Sequence, residues 1–246
     1  MGIKHQLRTL LWKAGYDITR FKPTSHPIAR RKRFFEIYKI DTVLDVGANT
    51  GQFAFELRND LDYKNKILSF EPLSTAFKLL QAKAAQDTAW QVFHHALGDV
   101  EETREINIAG NSESSSLLPM LASHLKSAPQ SQYIGKESIS IKTLDGVFPR
   151  LCADARNVYL KLDTQGFEKN VLLGAAATLA RIDTVQMELS LVPLYSNQVL
   201  FNEMHSLMIQ RGYTLIAIED GFSDPATGQV LQADGIFHRF NGTAAA

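Results

Sequence analysis

From Asp41 onward, short β-rich apolar runs alternate with stretches whose apolar residues recur at helical spacing, the rhythm of βαβ units feeding a parallel sheet. The runs predict strands at 42–46, 66–70, 91–95, 158–163, 184–189, 213–218 and 235–240. One helix follows Gly51 with Phe53, Ala54 and Leu57 on a face, and another starts at a Ser74 cap and carries Phe77, Leu80 and Ala84. A third is expected over 168–179. A fourth is expected over 197–211, with Leu200, Met204, Leu207 and Met208 at helical spacing and Gly212 as its stop.

The rhythm breaks between Ile108 and Ser138, where turn-forming residues dominate and periodicity is weak. Long loops inside a domain are usually functional or disordered. The flanking runs 103–108 and 138–142 alternate like extra strands, so 109–137 reads either as a flap over the sheet edge or as a plain surface insertion.

Composition narrows the class without naming a function. With 246 residues, 45% of them hydrophobic, the chain can bury a sizeable core, and roughly 250 residues is within reach of one α/β domain. A lone Cys152 makes no internal bridge, so nothing ties the chain to an oxidising compartment, and a cytoplasmic location is expected. The run 171–180 falls short of the ~18 apolar residues that a membrane span needs. The start of the chain lacks the apolar core and cleavage site of a secretory signal.

Zero net charge hides an asymmetry. Residues 1–40 hold ten Lys/Arg against two acids, leaving the remainder at −8. Leu7, Leu10, Leu11 and Ala14 recur at helical spacing among Lys4, Arg8 and Lys13, and Arg30, Arg31, Lys32 and Arg33 follow. This basic helical arm suits peripheral contact with an anionic membrane face, or packing against the acidic body or a second copy in a homo-oligomer. No nucleic-acid module is present, and none is expected as a partner.

The chemistry gathers at expected strand ends. The run 43–51 is an apolar strand entering a turn with Gly47 and Gly51, placed where open α/β sheets bind ligands, and glycine there lets backbone approach one closely. Twenty residues on, Glu71 ends the second strand, where a carboxylate accepts both hydroxyls of a ribose. A dinucleotide fingerprint needs G-x-G-x-x-G, and here the glycines are four apart with Asp45 before them. A carboxylate at the turn suits a ligand with an ammonium and a sulfonium better than a diphosphate; S-adenosylmethionine carries both. Asp163, Glu188, Glu219 and Asp220 fall at further strand ends, a rim that favours a cationic cofactor, a metal, or both; taken singly, each also fits a helix cap.

The runs 44–51, Phe70-Glu71-Pro72, 96–99, the serine cluster of 111–117, 142–145 and 161–168 together resemble the FkbM family of S-adenosylmethionine-dependent methyltransferases, over about residues 41–240. The resemblance implies a class I methyltransferase fold: a Rossmann-like, seven-stranded, mostly parallel α/β sheet with helices on both faces and its last strand antiparallel. It makes 41–246 the methyltransferase domain. It implies transfer to a hydroxyl oxygen, often of a sugar, polysaccharide or glycosylated natural product. By the same resemblance Asp45, Gly47, Ala48, Asn49 and Gly51 surround the methionine end of the cofactor, Glu71 and Pro72 lie at the ribose, Ala96 and Leu97 border the adenine, and Asp163 faces the methyl. Gln165 stands where the family pattern has Glu, which leaves the need for a divalent metal open.

A sugar hydroxyl needs a base. Asp163 is the first candidate, with its pKa raised by neighbouring acids, and Glu188 the second. His94, His95, His205 and His124 are weaker, the last placed in the exposed loop. Ser112 to Ser116 read as a flexible turn, or as groups that contact a polyhydroxylated acceptor or hold the flap closed. Trp12 and Trp90 read as core or interface packing. A nicotinamide-dependent oxidoreductase and a non-catalytic cofactor-binding or assembly subunit are the alternatives.

Overall fold

Residues 42–46 are buried along their length, as an unbroken apolar run requires of a strand covered on both faces. The computed structural model describes residues 3–240; residues 1–2 of the arm and 241–246 of the expected body lie outside the described residues. In chain order it contains α1 (Ile3–Lys13), α2 (Pro27–Ile37), β1 (Thr42–Val46), α3 (Gln52–Asn59), β2 (Lys66–Phe70), α4 (Ser74–Ala84), β3 (Trp90–Phe93), β4 (Ala96–Leu97) and β5 (Glu102–Ala109). It continues with α5 (Ala122–Ser127), β6 (Tyr133–Lys142), α6 (Leu144–Leu151), β7 (Val158–Leu162), α7 (Glu168–Leu173), β8 (Ile182–Ser190), α8 (Phe201–Gln210), β9 (Thr214–Asp220) and β10 (Gln232–His238).

Seven strands form one sheet in the order β3-β2-β1-β7-β8-β10-β9, and β10 runs antiparallel to both of its neighbours. This is the expected α/β architecture. Period-two alternation divides its core: Leu44, Val46, Leu68, Phe70, Leu160 and Leu162 face one layer, with Phe148 of α6 and Met204 and Met208 of α8. Val43, Ile67 and Tyr159 face the other, with Phe35 of α2, Leu57 of α3 and Leu80 of α4. A second sheet, β4-β6-β5, places an antiparallel β5–β6 pair beside the main one, and the loop between them carries the serine cluster.

Several boundaries depart from the sequence reading for local reasons. α7 ends at Leu173, and Gly174 follows it directly against Gly98, where a side chain would meet the Gly98 carbonyl oxygen at 1.8 Å. α8 starts at Phe201, since Asn197 takes φ +60°, which no right-handed helix admits. Ser74 is the first residue of α4 rather than its cap; its N–H and hydroxyl both donate to Glu137. β10 begins three residues earlier than expected, which brings Asp234 into the sheet.

The basic segment divides in two. α2 packs on the body through Ala29, Arg31 and Phe35, the Phe35 ring lying 4.8 Å from that of Tyr159. Residues 5–22 leave Leu7, Leu10, Trp12, Tyr16, Ile18 and Phe21 exposed, so Trp12 is not in the core; Trp90 is. Among the described residues, no helix is long and apolar enough to cross a membrane.

Candidate active site

β1 delivers the chain into a turn where Gly47, Asn49 and Gly51 all have positive φ (+78°, +47° and +87°). A Cβ on Gly47 would lie 1.8 Å from the Asp163 carbonyl oxygen, so glycine is required by the close passage of the β1 and β7 ends, not by a ligand. A Cβ on Gly51 would lie 2.9 Å from Leu80 and Trp90, and Gly51 does not line the cleft. Four of the turn's amides are already bonded. Gly47 and Ala48 N–H donate to the Phe70 carbonyl, Gly51 N–H to that of Ala48, and Asn49 N–H to Glu71 Oε2 at 2.8 Å.

Above the turn opens a cleft of about 590 Å³. Gly47, Ala48, Asn49, Glu71, Pro72, Ala96 and Leu97 line one half, over β1, β2 and β4. Both Glu71 oxygens accept backbone N–H groups, from Asn49 and Leu73, each at 2.8 Å. Burial nevertheless pushes its carboxyl up to about 7 against those two donors. Asp163 and Glu188 line the other half, over β7 and β8.

Asp45 does not line the cleft. It is fully buried within a polar row that crosses the sheet, with Ser69 opposite it on β2, Lys161 opposite it on β7, and Gln186 beyond on β8. Its Oδ2 accepts from Ser69 at 3.0 Å, while Oδ1 has no hydrogen bond and lies 3.5 Å from the Lys161 ammonium. Burial raises the Asp45 pKa and Lys161 opposes the shift. Burial pulls Lys161 down, but the charges of Asp163 and Asp45 outweigh it and the net shift is upward.

The profile of the methyltransferase FkbM domain matches residues 45–215. The chain belongs to the FkbM methyltransferase family. Its fold is similar to that of an FkbM methyltransferase from Methylobacillus flagellatus KT, at 15% identity and TM-score 0.51, covering 81% of this chain and 44% of that one. This FkbM chain thus spans less than half the length of that relative. It is also similar to an rRNA methylase from Streptococcus thermophilus (9% identity, TM-score 0.47, 88% and 98% covered). A third similar structure is TrmK from M. capricolum with S-adenosylhomocysteine (7% identity, TM-score 0.44, 84% and 67% covered). No curated protein sequence matches.

Gln165 makes a neutral bridge. Its amide nitrogen donates to Asp163 Oδ1 at 2.8 Å and Glu188 Oε2 at 2.9 Å, and its oxygen accepts from the Tyr195 hydroxyl at 2.8 Å. A third carboxylate here would face two others with no donor between them. Asp163 Oδ2 accepts from Lys161 at 3.1 Å, so each Asp163 oxygen has one donor, an arrangement that suits a carboxylate. Glu188 differs: burial first, then the charges of Asp163, Glu168 and Asp234, raise its pKa well above the ordinary value. Glu168 braces the segment by accepting from Thr164 N–H, the Thr164 hydroxyl and Gly166 N–H.

The serine segment of this FkbM domain is a folded cover rather than a flexible turn. Ser112 Oγ accepts from Asn49 at 3.1 Å, Gln52 donates to Glu113 at 2.9 Å, and Ser116 Oγ donates to the Gln165 carbonyl at 2.7 Å. These contacts tie it to the glycine turn, to α3 and to the Asp163 loop. His124, expected to be exposed, is 3% exposed, with Nε2 3.2 Å from Ser131 Oγ and its ring beside Tyr195 and Phe222. The other histidines do not line the cleft. His94 stacks on Phe77, His95 bonds to the Ala96 carbonyl, and His205 stacks on Phe201.

Sequence reading missed Lys161, Asp234, Arg31 and Phe53, all of which line the cleft. A lysine inside the apolar run 158–162 was the available signal for the first. Asp234 pairs across the sheet with Glu188 on one side and Glu219 on the other, a row that depends on strand order. Among the described residues, no group of three or more His, Cys, Asp or Glu is placed to hold a metal ion.

Proposed function

We propose that the chain transfers the methyl group of S-adenosylmethionine to a hydroxyl oxygen of a sugar, polysaccharide or other sugar-bearing molecule. The observation that carries the reading is the accounting of amides at the turn. With the N–H groups of residues 47, 48, 49 and 51 bonded internally, they are not available to a pyrophosphate, and the one at residue 49 already holds the Glu71 carboxylate. This disfavours a nicotinamide dinucleotide and suits a cationic donor. When bound, S-adenosylmethionine supplies a methyl carbon activated by a sulfonium.

The residues present fit that group. Glu71 would take the ribose hydroxyls, Ala96 and Leu97 would flank the adenine, and residues 47–49 would lie along the methionine end. Asp163 would receive the proton of the acceptor hydroxyl, a contribution on the order of 10²–10⁴-fold. The segment 111–117 excludes water, and Lys161 and Gln165 hold Asp163 in one orientation.

Methyl-labelled S-adenosylmethionine incubated with the protein and extracts of cell-surface glycans is expected to label a glycan. Cofactor binding without label in any glycan would favour a binding or assembly role. A rise in melting temperature with NADPH but not with S-adenosylmethionine would overturn the reading.

Glu71 makes cofactor affinity depend on pH. Ribose hydroxyls donate to the ionised form, and burial pushes the free carboxyl up to about 7, so binding is expected to release protons near neutrality. Affinity is expected to rise several-fold from pH 6 to 8 and to lose that slope in Glu71→Gln. Calorimetry in two buffers of different ionisation heat measures the released proton directly.

The exposed apolar side chains of residues 7–21, set among Arg8, Lys13, Arg20 and Lys22, support a role for the arm on an anionic membrane face. Deletion of residues 1–22 is expected to abolish co-sedimentation with phosphatidylglycerol vesicles. Equal sedimentation of both forms would rule this role out.

A further inference from the structure

The family segment ends at 215, yet the cleft is finished by residues outside it, Arg31 from α2 and Gln232 and Asp234 from β10. By strand order Gln232 and Asp234 belong to the β8-β10-β9 side of the sheet, away from the β2-β1 half that holds Glu71, and Arg31 reaches that side through Glu219 of β9. Arg31 is 7% exposed, and its two terminal nitrogens are ion-paired with Glu56 of α3 and Glu219 of β9. Its guanidinium lies 5.6 Å from the centroid of the Phe53 ring, and the Lys161 ammonium lies 5.5 Å from the same ring.

Two buried groups lining the cleft lack partners. Arg31 Nε has no acceptor, and His124 Nδ1, on a side chain 3% exposed, has no hydrogen bond. A buried polar atom left unpaired is costly, and of the two only Arg31 Nε is a fixed donor, so a ligand oxygen that reached it would be favoured. Around Arg31, the carboxylates of Asp163, Asp234, Glu56 and Glu219 outnumber the cations Arg31 and Lys161. Phe53 lines the cleft half-buried, its ring 6.4 Å from that of Tyr159, and an aromatic side chain among hydrogen-bonding groups matches a sugar ring, which has a C–H face and a polar rim.

We propose that α2 closes an acceptor subsite at this end of the cleft, where Phe53 takes the C–H face of a sugar ring, Arg31 and Asp234 bind its hydroxyls, and the surrounding carboxylates admit neutral or amine-bearing sugars while repelling anionic ones. The subsite's place in catalysis rests on the methyl-transfer reading; its binding preference does not. Arg31 is a specificity residue supplied from outside the family segment, and Glu56 and Glu219 hold it in place.

The test titrates the full-length chain with methyl glucoside, methyl 2-amino-2-deoxyglucoside and methyl glucuronoside, followed by saturation-transfer NMR. Each titration is run with and without S-adenosylhomocysteine, whose own heat of binding is recorded separately. The amine-bearing glycoside is expected to bind tightest and the uronoside at least about tenfold more weakly than the neutral one. Phe53→Ala should weaken all three. Glu56→Gln combined with Asp234→Asn should close most of the gap between neutral and anionic sugars, and circular dichroism checks that these variants fold. A uronoside that binds as tightly as the glucoside, binding by none of the three, or variants with unaltered Kd would each overturn the subsite. Absence of heat with S-adenosylhomocysteine would instead count against the methyl-transfer reading.

Discussion

Asp163→Asn is expected to slow methyl transfer by about 10²–10⁴-fold while leaving the cofactor Kd within a few-fold. The amide keeps the size of the carboxylate and can accept from one of its two donors, Lys161 or Gln165, but it cannot take the acceptor's proton. Glu188 is the poorer base, because burial and three neighbouring acids raise its pKa well above the ordinary value and its Oε2 already accepts from Gln165. Gln165 links the two, with one amide nitrogen donating to both. Single-turnover transfer of a labelled methyl group, with calorimetry on the same variant, separates chemistry from binding. Unchanged turnover would remove Asp163 as the base and direct attention to Glu188→Gln.

Lys161→Met should have the largest effect on stability. Its ammonium is 3.1 Å from Asp163 and 3.5 Å from Asp45, whose Oδ1 has no hydrogen bond. Removing one partner of a buried ion pair leaves an uncompensated charge and costs about 3–5 kcal/mol. For a chain of this size that is a fall in Tm on the order of 10 °C. In the variant, the folded-state pKa of Asp45 rises further above its unfolded value. The folded state then binds more protons than the unfolded one, so the loss should grow as pH rises from 5 to 8. Adding Asp45→Asn should recover part of it, because the two side chains share one interaction. Thermal melts at two pH values on the single and double variants measure both effects. A Tm within 2 °C of wild type, a bound set from the same size scaling, would show that the pair contributes little.

The two residues differ in how they could be found. Asp163 follows a strand and precedes a glycine, so period-two burial and the position of the strand end were enough to put it on the rim. Lys161 was readable only as an anomaly, a charge inside an apolar run. Its meaning came from Asp45, more than a hundred residues earlier, which the parallel register places directly opposite. Asp45 itself was assigned to the cofactor because it adjoins the turn. Alternation of side chains along β1 instead sends it into the sheet, where it balances Lys161. The glycines show the same division. Their positive φ was legible from the turn, but the neighbours that forbid a Cβ, the Asp163 carbonyl and the Trp90 ring, belong to other strands.

Local chemistry in the chain therefore determined the order of the seven main strands and the helices at 52–59, 74–84, 168–173 and 201–210, the glycine turn, the acids at strand ends and the family, while α2, α5, α6 and β4 were not read from it. Those features depend on contacts between near neighbours and on the period of burial. The tertiary structure decided that Arg31 leaves its basic run to line the cleft, that His124 is buried, that the serine segment is a folded cover, and that Glu188, Asp234 and Glu219 form one row. Each of these depends on which distant segment lies opposite, because a side chain's charge state and partners are set by what surrounds it in space and not by what adjoins it along the chain.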